Sequence, residues 1–132
     1  MPAPEWRDSY STHIPEIDAD HQRLFALAAS LERAVADGRG EQAVRPAMLE
    51  LVEYTRTHFE AEERLMAAAR YPGLEAHRQE HAGFLASLRR RIELPASVVA
   101  KDLSVMLVNW LVDHVVRTDH DYVPYLLAMH PR

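Results

Sequence analysis

The sequence contains no cysteine among its 132 residues. Disulfide bonds are therefore impossible, and metal sites built from thiolates, such as zinc fingers and iron–sulfur clusters, are excluded. The sequence also lacks a basic start followed by an apolar stretch, so we expect no secretory signal. Its most apolar window, residues 103–112, is too short to span a bilayer. We therefore predict a cytoplasmic protein with no membrane partner.

An excess of positive charge is lacking as well. Lys and Arg number 15 against 20 Asp and Glu, for a net charge of −5, which argues against a nucleic-acid partner. One basic run, at residues 89–91, falls where we expect a helix to end, and cations there complement the helix dipole. A chain of 132 residues is long enough for one buried core and too short for two ordinary domains. We predict a single domain over residues 1–132.

No segment of the sequence shows the period-two alternation of a half-buried strand. Apolar residues instead recur at spacings of three and four along four segments, expected at about 18–35, 41–69, 74–92 and from 97 past 114. Asp18 and Ser97 are the expected N-caps of the first and fourth helices. Trp6 and Tyr10 could pin an extended N-terminal arm, and a short tail helix could begin near Asp121. The prediction is an all-α, up-down-up-down antiparallel four-helix bundle with an extended N-terminal arm and a short C-terminal tail.

Polar residues occupy buried positions in these apolar stripes. A histidine opens the first stripe, and the other three stripes each contain one or two ionisable residues: His21; His58 and Glu62; His77 and His81; His114. Burying a carboxylate without a partner costs several kcal/mol, and a buried imidazole also needs its nitrogens satisfied. One such histidine is usually hydrogen-bonded structure, but convergence from four helices favours a shared cation.

The spacing of these residues suits metal ligands. His58 and Glu62 are four residues apart, so both project from one face of their helix, and His77 and His81 form a similar pair. His114 and Asp119 are five apart, which on a regular helix separates them by about 140°. Both can face the centre only if the helix loosens, and we therefore predict an irregularity between residues 115 and 118.

Five histidines and two carboxylates are too many ligands for one ordinary metal site. Two metal ions bridged by the carboxylates would use all seven, and nitrogen and oxygen ligands suit iron, manganese or zinc.

The other histidines, glutamates and methionines near these motifs have simpler interpretations. We expect His13, His120 and His130 to lie at the surface. For His120, which follows Asp119, the alternative is a supporting role at the metal site. We expect Glu60 and Glu63 to point away from the seam, and Met48, Met66 and Met106 to fill the core.

Two competing metal-site interpretations are weaker. Residues 77–81 also fit the H-x-x-E-H pattern of zinc peptidases, with Glu80 as the base. That interpretation leaves five other buried ligand candidates without a role, and short motifs recur by chance. The ferritin-like di-iron fold is disfavoured, since the sequence has no Glu-x-x-His pair.

The ordered set of motifs resembles the hemerythrin family, specifically its bacterial single-domain members. The matching stretches are Trp6, residues 17–24, 58–66, Tyr71-Pro, 77–81 and 110–122. The resemblance implies that His77, His81 and His114 bind one iron and that His21 and His58 bind a second. Glu62 and Asp119, with an oxo or hydroxo group from solvent, would bridge these two non-haem ions.

The resemblance further implies reversible dioxygen binding at the open position of the second iron, for storage, delivery or sensing, and no enzymatic activity. The implied oxygen pocket is apolar: Leu24, Phe59, Trp110, Leu111 and Val115. The alternative is a di-iron enzyme, such as a peroxidase, an oxidase or a nitric-oxide-consuming protein. In one departure, His13 stands where related sequences often have glycine.

Overall fold

The structure, a computed structural model, describes residues 5–38, 40–94, 106 and 108–129, a part of the chain that is helical and contains no strand. Three α-helices, which we call α1, α2 and α3, span Pro15–Ala36, Glu41–Ala68 and Leu74–Ile92. A further helical stretch, which we call the fourth helix, covers residues 108–128. The predicted bounds of α2 and α3 agree with these to within one residue, whereas the predicted cap at Ser97 lies outside the described residues.

The prediction that Asp18 caps the first helix is wrong. Helix α1 begins three residues earlier, at Pro15, where a fixed φ suits the first helical position and the missing N–H costs nothing. The Asp18 carboxylate instead accepts hydrogen bonds from the backbone N–H and the hydroxyl of Thr12, at 2.8 and 2.7 Å, and another from Ser11. Asp18 therefore ties the N-terminal arm to the first turn of α1.

The arm is held by aromatic contacts as well. The rings of Trp6 and Tyr10 each pack on Phe25 of α1, with centroids 6.0 and 5.7 Å away, as predicted. The arm contains a short 3₁₀ turn, Asp8–Tyr10. His13, at the end of the arm, has φ +63°, in the left-handed region that suits glycine better than a branched chain.

The helices form an all-α bundle in which sequence neighbours pack together. Helix α1 packs on α2 and α2 on α3, and the short connections at 37–40 and 69–73 make each pair antiparallel. The fourth helix closes the bundle, with Trp110 stacked on Phe84 of α3 at 3.7 Å between ring centroids. In the described part of the chain, no helix is long and apolar enough to cross a bilayer.

The fourth helix departs from α-helical geometry along most of its length. Val108–Val112 and His114–Thr118 are π-helical, Asp119–Tyr122 is 3₁₀, and only Val123–Ala128 is a regular α-helix. The predicted irregularity at 115–118 is confirmed. The π segment at Val108–Val112 was not predicted, because no ligand spacing in the sequence points to it.

Two apolar clusters lie on either side of a polar layer. The larger cluster includes Leu24, Phe59, Phe84 and Val115, one from each helix. The smaller cluster contains Ile17, Met66, Tyr122 and Leu126, on three of the same helices. On α1, α2 and the fourth helix the candidate ligands fall where these two clusters meet, so packing on both sides fixes their height in the bundle.

Candidate metal centre

All seven candidate ligands meet in the middle of the bundle. Their exposed fractions are between 0 and 3 %. Their ligand atoms form two groups that share Glu62, and within each group every ligand atom lies within 4.8 Å of the others. The first group is Glu62, His77, His81, His114 and Asp119, and the second is His21, His58 and Glu62. The sequence-predicted residues are therefore brought together without exception.

The first group gathers three imidazoles around one oxygen of each carboxylate. Asp119 Oδ1 lies 2.9 Å from His77 Nε2 and 3.0 Å from His114 Nε2. Glu62 Oε1 lies 3.1 Å from His81 Nε2 and 3.8 Å from His77 Nε2. The Nε2 atoms of His81 and His114 approach to 3.1 Å. Such close nitrogens suit donation of lone pairs to one cation.

The second group uses the other oxygen of each carboxylate. His21 Nε2 lies 2.9 Å from Asp119 Oδ2 and 3.2 Å from Glu62 Oε2. His58 Nε2 also lies 3.2 Å from Glu62 Oε2. Each carboxylate therefore directs one oxygen to histidines of the first group and its other oxygen to histidines of the second group. This is the arrangement required of a bridging ligand.

The π-helical turn brings Asp119 to the centre. The Asp119 backbone N–H donates to the carbonyl of His114, the i→i+5 bond that defines a π turn. Residues five apart then lie on one face instead of about 140° apart. A single backbone hydrogen bond thus joins the two candidate ligands of the fourth helix.

Several inward-facing atoms make no hydrogen bond of good geometry, although other polar atoms lie close to them. They are His58 Nε2, Glu62 Oε1, His77 Nε2 and Asp119 Oδ1, all fully buried. Unsatisfied buried polar atoms are rare because each costs roughly 1–3 kcal/mol. Four such atoms, divided between the two ligand groups and flanked by nitrogen and oxygen donors, fit a site for iron or a similar divalent ion.

The electrostatics of the cluster favour positive charge. Burial alone lowers the pKa of His21, but hydrogen bonds with Asp119 and Glu62 outweigh it and raise the pKa to about 9. His58, also buried, has its pKa raised to about 10 by Glu62 and Asp20. Burial opposes the ionisation of Glu62, yet the imidazoles of His58 and His21 hold its pKa well below the usual range. Protons and metal ions therefore compete for the same atoms.

Carboxylates that the sequence did not reveal support three of the imidazoles from outside. His58 Nδ1 lies 2.9 Å from Asp20, His81 Nδ1 lies 2.8 Å from Glu63, and His114 Nδ1 lies 3.2 Å from Glu80. A carboxylate on Nδ1 keeps the proton there and leaves Nε2 free to bind a metal. The prediction that Glu63 merely points away from the seam missed this contact. Glu80 faces the outer nitrogen of His114, a position that does not suit the base of a zinc peptidase.

Tyr122 is a further contributor that spacing did not single out. Its hydroxyl donates to Glu62 Oε2 at 2.7 Å, and its side chain is fully buried. Burial first, and then the negative charges of Glu62 and Asp119, raise its pKa well above the ordinary value. Tyr122 therefore remains a proton donor that fixes the orientation of Glu62.

Apolar and aromatic side chains pack against the cluster. Phe59 stacks on His81 and Trp110 stacks on His114, with ring centroids 3.6 and 4.3 Å apart. Four of the five residues expected to form the oxygen pocket are buried in the larger apolar cluster, and the fifth packs against it: Leu24, Phe59, Leu111 and Val115, with Trp110. Together these contacts restrict the access of bulk water to the ligands.

The remaining sequence expectations are partly corrected. His13 is exposed, as predicted. His120 is neither a surface group nor a support for the cluster, because its Nε2 donates to the carbonyl of Tyr10 at 3.0 Å and thereby holds the arm. Met48 and Met66 are core residues, and Met106 packs against the core, whereas His130 lies outside the described residues.

Comparison with known proteins places the chain in a family. The model of the hemerythrin HHE cation binding domain matches residues 12–126. A bacteriohemerythrin of Pseudomonas aeruginosa is 33% identical over 120 residues, covering 89% of this chain and 78% of the relative. A myohemerythrin of Riftia pachyptila is 32% identical over 124 residues, covering 92% and 93%.

One solved structure is similar to this chain over nearly the whole length of both. It is the crystal structure of a leucine-to-phenylalanine mutant, with a TM-score of 0.83 and 26% identity, and the match covers 96% of this chain and 98% of that one. The four-helix bundle predicted from the sequence is thus confirmed. With the family model spanning most of the chain, and with relatives above 30% identity, this chain belongs to the hemerythrin family.

Proposed function

We propose that the chain binds dioxygen reversibly at a non-haem di-iron centre, for oxygen storage, delivery or sensing. Its relatives in the hemerythrin family are oxygen-binding proteins rather than enzymes. The observation that carries the proposal is the buried cluster in which two carboxylates each face two separate groups of histidines. We also propose that residues 1–132 form one domain. The cytoplasmic location stays a prediction.

The ligand assignment follows the two groups of contacts. His77, His81 and His114 would hold one iron and His21 and His58 the other, while Glu62 and Asp119 bridge them. This assignment is supported by the division of carboxylate oxygens, Oε1 and Oδ1 toward the first group and Oε2 and Oδ2 toward the second. It also provides partners for the four unpaired inward-facing atoms.

The unequal number of histidines has a chemical consequence. With both carboxylates and one solvent bridge shared, three histidines would complete a six-coordinate ion, whereas two would leave one position free. When bound, two ferrous ions supply the electrons and the open position that reversible dioxygen binding needs. The protein contributes orientation: Asp20, Glu63 and Glu80 hold the outer nitrogens, and Tyr122 holds Glu62.

The apolar side chains around the cluster would shield bound dioxygen from water. We assign the pocket to Leu24, Phe59, Trp110, Leu111 and Val115. Four of these side chains are almost fully buried, and an apolar wall disfavours the escape of charged oxygen species into water. Such a wall should therefore slow the formation of a dead diferric site.

The test combines metal analysis with optical spectroscopy. Protein loaded anaerobically with ferrous iron should contain two irons per chain, develop a charge-transfer band in air and return to the colourless form under vacuum. His81→Ala should lose iron, whereas His13→Ala, which changes an exposed histidine, should behave as wild type. Rapid irreversible oxidation with turnover of peroxide would instead indicate the alternative, a di-iron enzyme.

A further inference from the structure

A cavity of about 180 Å³ lies between the start of α3 and the fourth helix. Its lining includes Tyr71, His77, Glu80 and Asp121, and such a volume holds several water molecules. Among these residues His77 is the innermost, because its side chain is the most buried, and it is one of the seven candidate ligands. The cavity therefore extends from the surface to one of the candidate ligands.

The walls of this cavity carry negative charge. Asp121 is exposed and Glu80 is half exposed. Burial, followed by the charges of Asp121, Tyr125 and Glu80, raises the pKa of Tyr71 in the same wall. Arg117 is close enough to interact with Asp121 and Glu80, although its closest partner is Asp113 at 2.8 Å. Clefts lined by one sign of charge concentrate ions of the opposite sign.

We propose that this cavity is the uptake route by which a divalent metal cation passes from solvent to the buried histidines. Asp121 and Glu80 attract the hydrated ion, which then meets the imidazole of His77, the candidate ligand in the cavity wall. The route rests on the metal centre proposed above, and adds to it the path by which the metal arrives.

The position of Glu80 links the outer and inner parts of the route. Its carboxylate lies 3.2 Å from His114 Nδ1, while His114 Nε2 faces the centre. Two other cavities, one beside Asn109 and Arg117 and one beside Ile14 and Leu126, include none of the seven candidate ligands in their lining. An acidic wall repels anions and does not act on neutral dioxygen, so its charge selects for cations.

The test is the rate of metal uptake by metal-free protein. Cobalt(II) chloride is mixed with the apoprotein in a stopped-flow instrument, and the visible absorbance of the bound ion is followed. Glu80→Gln and Asp121→Asn should each slow uptake by about two- to fivefold, and Arg117→Gln should accelerate it by a similar factor. All of these effects should shrink as the ionic strength rises.

The matched control is Glu93→Gln, the same change at the far end of α3. Glu93 lies thirteen residues from Glu80, about 20 Å along the helix, and its substitution should leave the rate unchanged. Equal rates in all variants, with two cobalt ions bound at the end point, would overturn the uptake route alone. So would slowing by Glu80→Gln without an effect at Asp121 or Arg117, because Glu80 would then act only through His114. Wild-type protein that binds no cobalt would overturn the metal centre itself.

Discussion

An imidazole that binds a metal through one nitrogen depends on the partner of its other nitrogen. Three of the five central histidines have a carboxylate on Nδ1. His21 differs, because its Nδ1 is buried and has no hydrogen-bond partner. The histidines of the three-histidine group that pair with Glu63 and Glu80 should therefore be more rigidly oriented than His21.

Replacing Glu63 by glutamine tests this support at a single residue. The change keeps the size of the side chain but removes the charge that holds the proton on His81 Nδ1, 2.8 Å away. We expect metal affinity to fall by about 10- to 100-fold, measured by competition with a coloured chelator. Glu60→Gln is the control, since Glu60 is exposed on the same helix and pairs with Arg56. Equal affinities of the two variants would remove Glu63 from the site.

At the scale of elements, side chains of two helices tie the N-terminal arm to the bundle. The first turn of α1 holds the arm through Asp18, and the fourth helix holds the same arm through His120. The arm therefore links the first and last helices of the bundle, although it contributes little to the central core.

Asp18→Ala should detach the arm from α1. The variant loses three hydrogen bonds to an ionised carboxylate, so we expect unfolding stability to fall by about 1–3 kcal/mol and proteolysis of the arm to accelerate. Glu16→Ala is the matched control: it removes an equivalent charge from the same turn and should cost only about 0.3–1 kcal/mol through the helix dipole. If urea denaturation finds the two variants equally stable, Asp18 has no special role.

The sequence predicted the irregular geometry of the fourth helix but not the carboxylates that support the histidines. The five-residue gap between His114 and Asp119 predicted its π turn, because ligand geometry constrains the backbone there. The carboxylates at Asp20, Glu63 and Glu80 could not be predicted from spacing, since they lie beside the seam and reach the histidines only through side-chain rotamers and helix packing. Their one sequence signal is adjacency, because Asp20 precedes His21, Glu63 follows Glu62 and Glu80 precedes His81.

The whole molecule should respond to pH in opposite ways with and without metal. In the metal-free protein the pKa of His21 is raised to about 9 and that of His58 to about 10, above an unfolded value of about 6.5. Their stabilising contribution is therefore complete below pH ~6.5 and is lost as the pH rises through about 9 to 10. In the metal-loaded protein the imidazoles must be neutral, so acidification below about 6.5 should release metal and reduce stability.

Urea denaturation across this pH range, with and without iron, measures both trends. We expect the free energy of unfolding of the apoprotein to decline from pH 7 to pH 10, while that of the loaded protein declines toward pH 5. His13→Gln, which alters an exposed histidine, should retain both trends. An apoprotein whose stability does not change above pH 7 would contradict the raised pKa values of His21 and His58.

The polar layer between two apolar clusters affects how the chain folds. The apolar clusters on either side can collapse without any cofactor, and both favour the same alignment of helices. The layer between them opposes that collapse, because it forces two carboxylates and five imidazoles into a dry space. This is local frustration in an otherwise consistent landscape. Amide protons of the middle turns should therefore exchange with solvent sooner than those above and below, and metal binding should reverse that order.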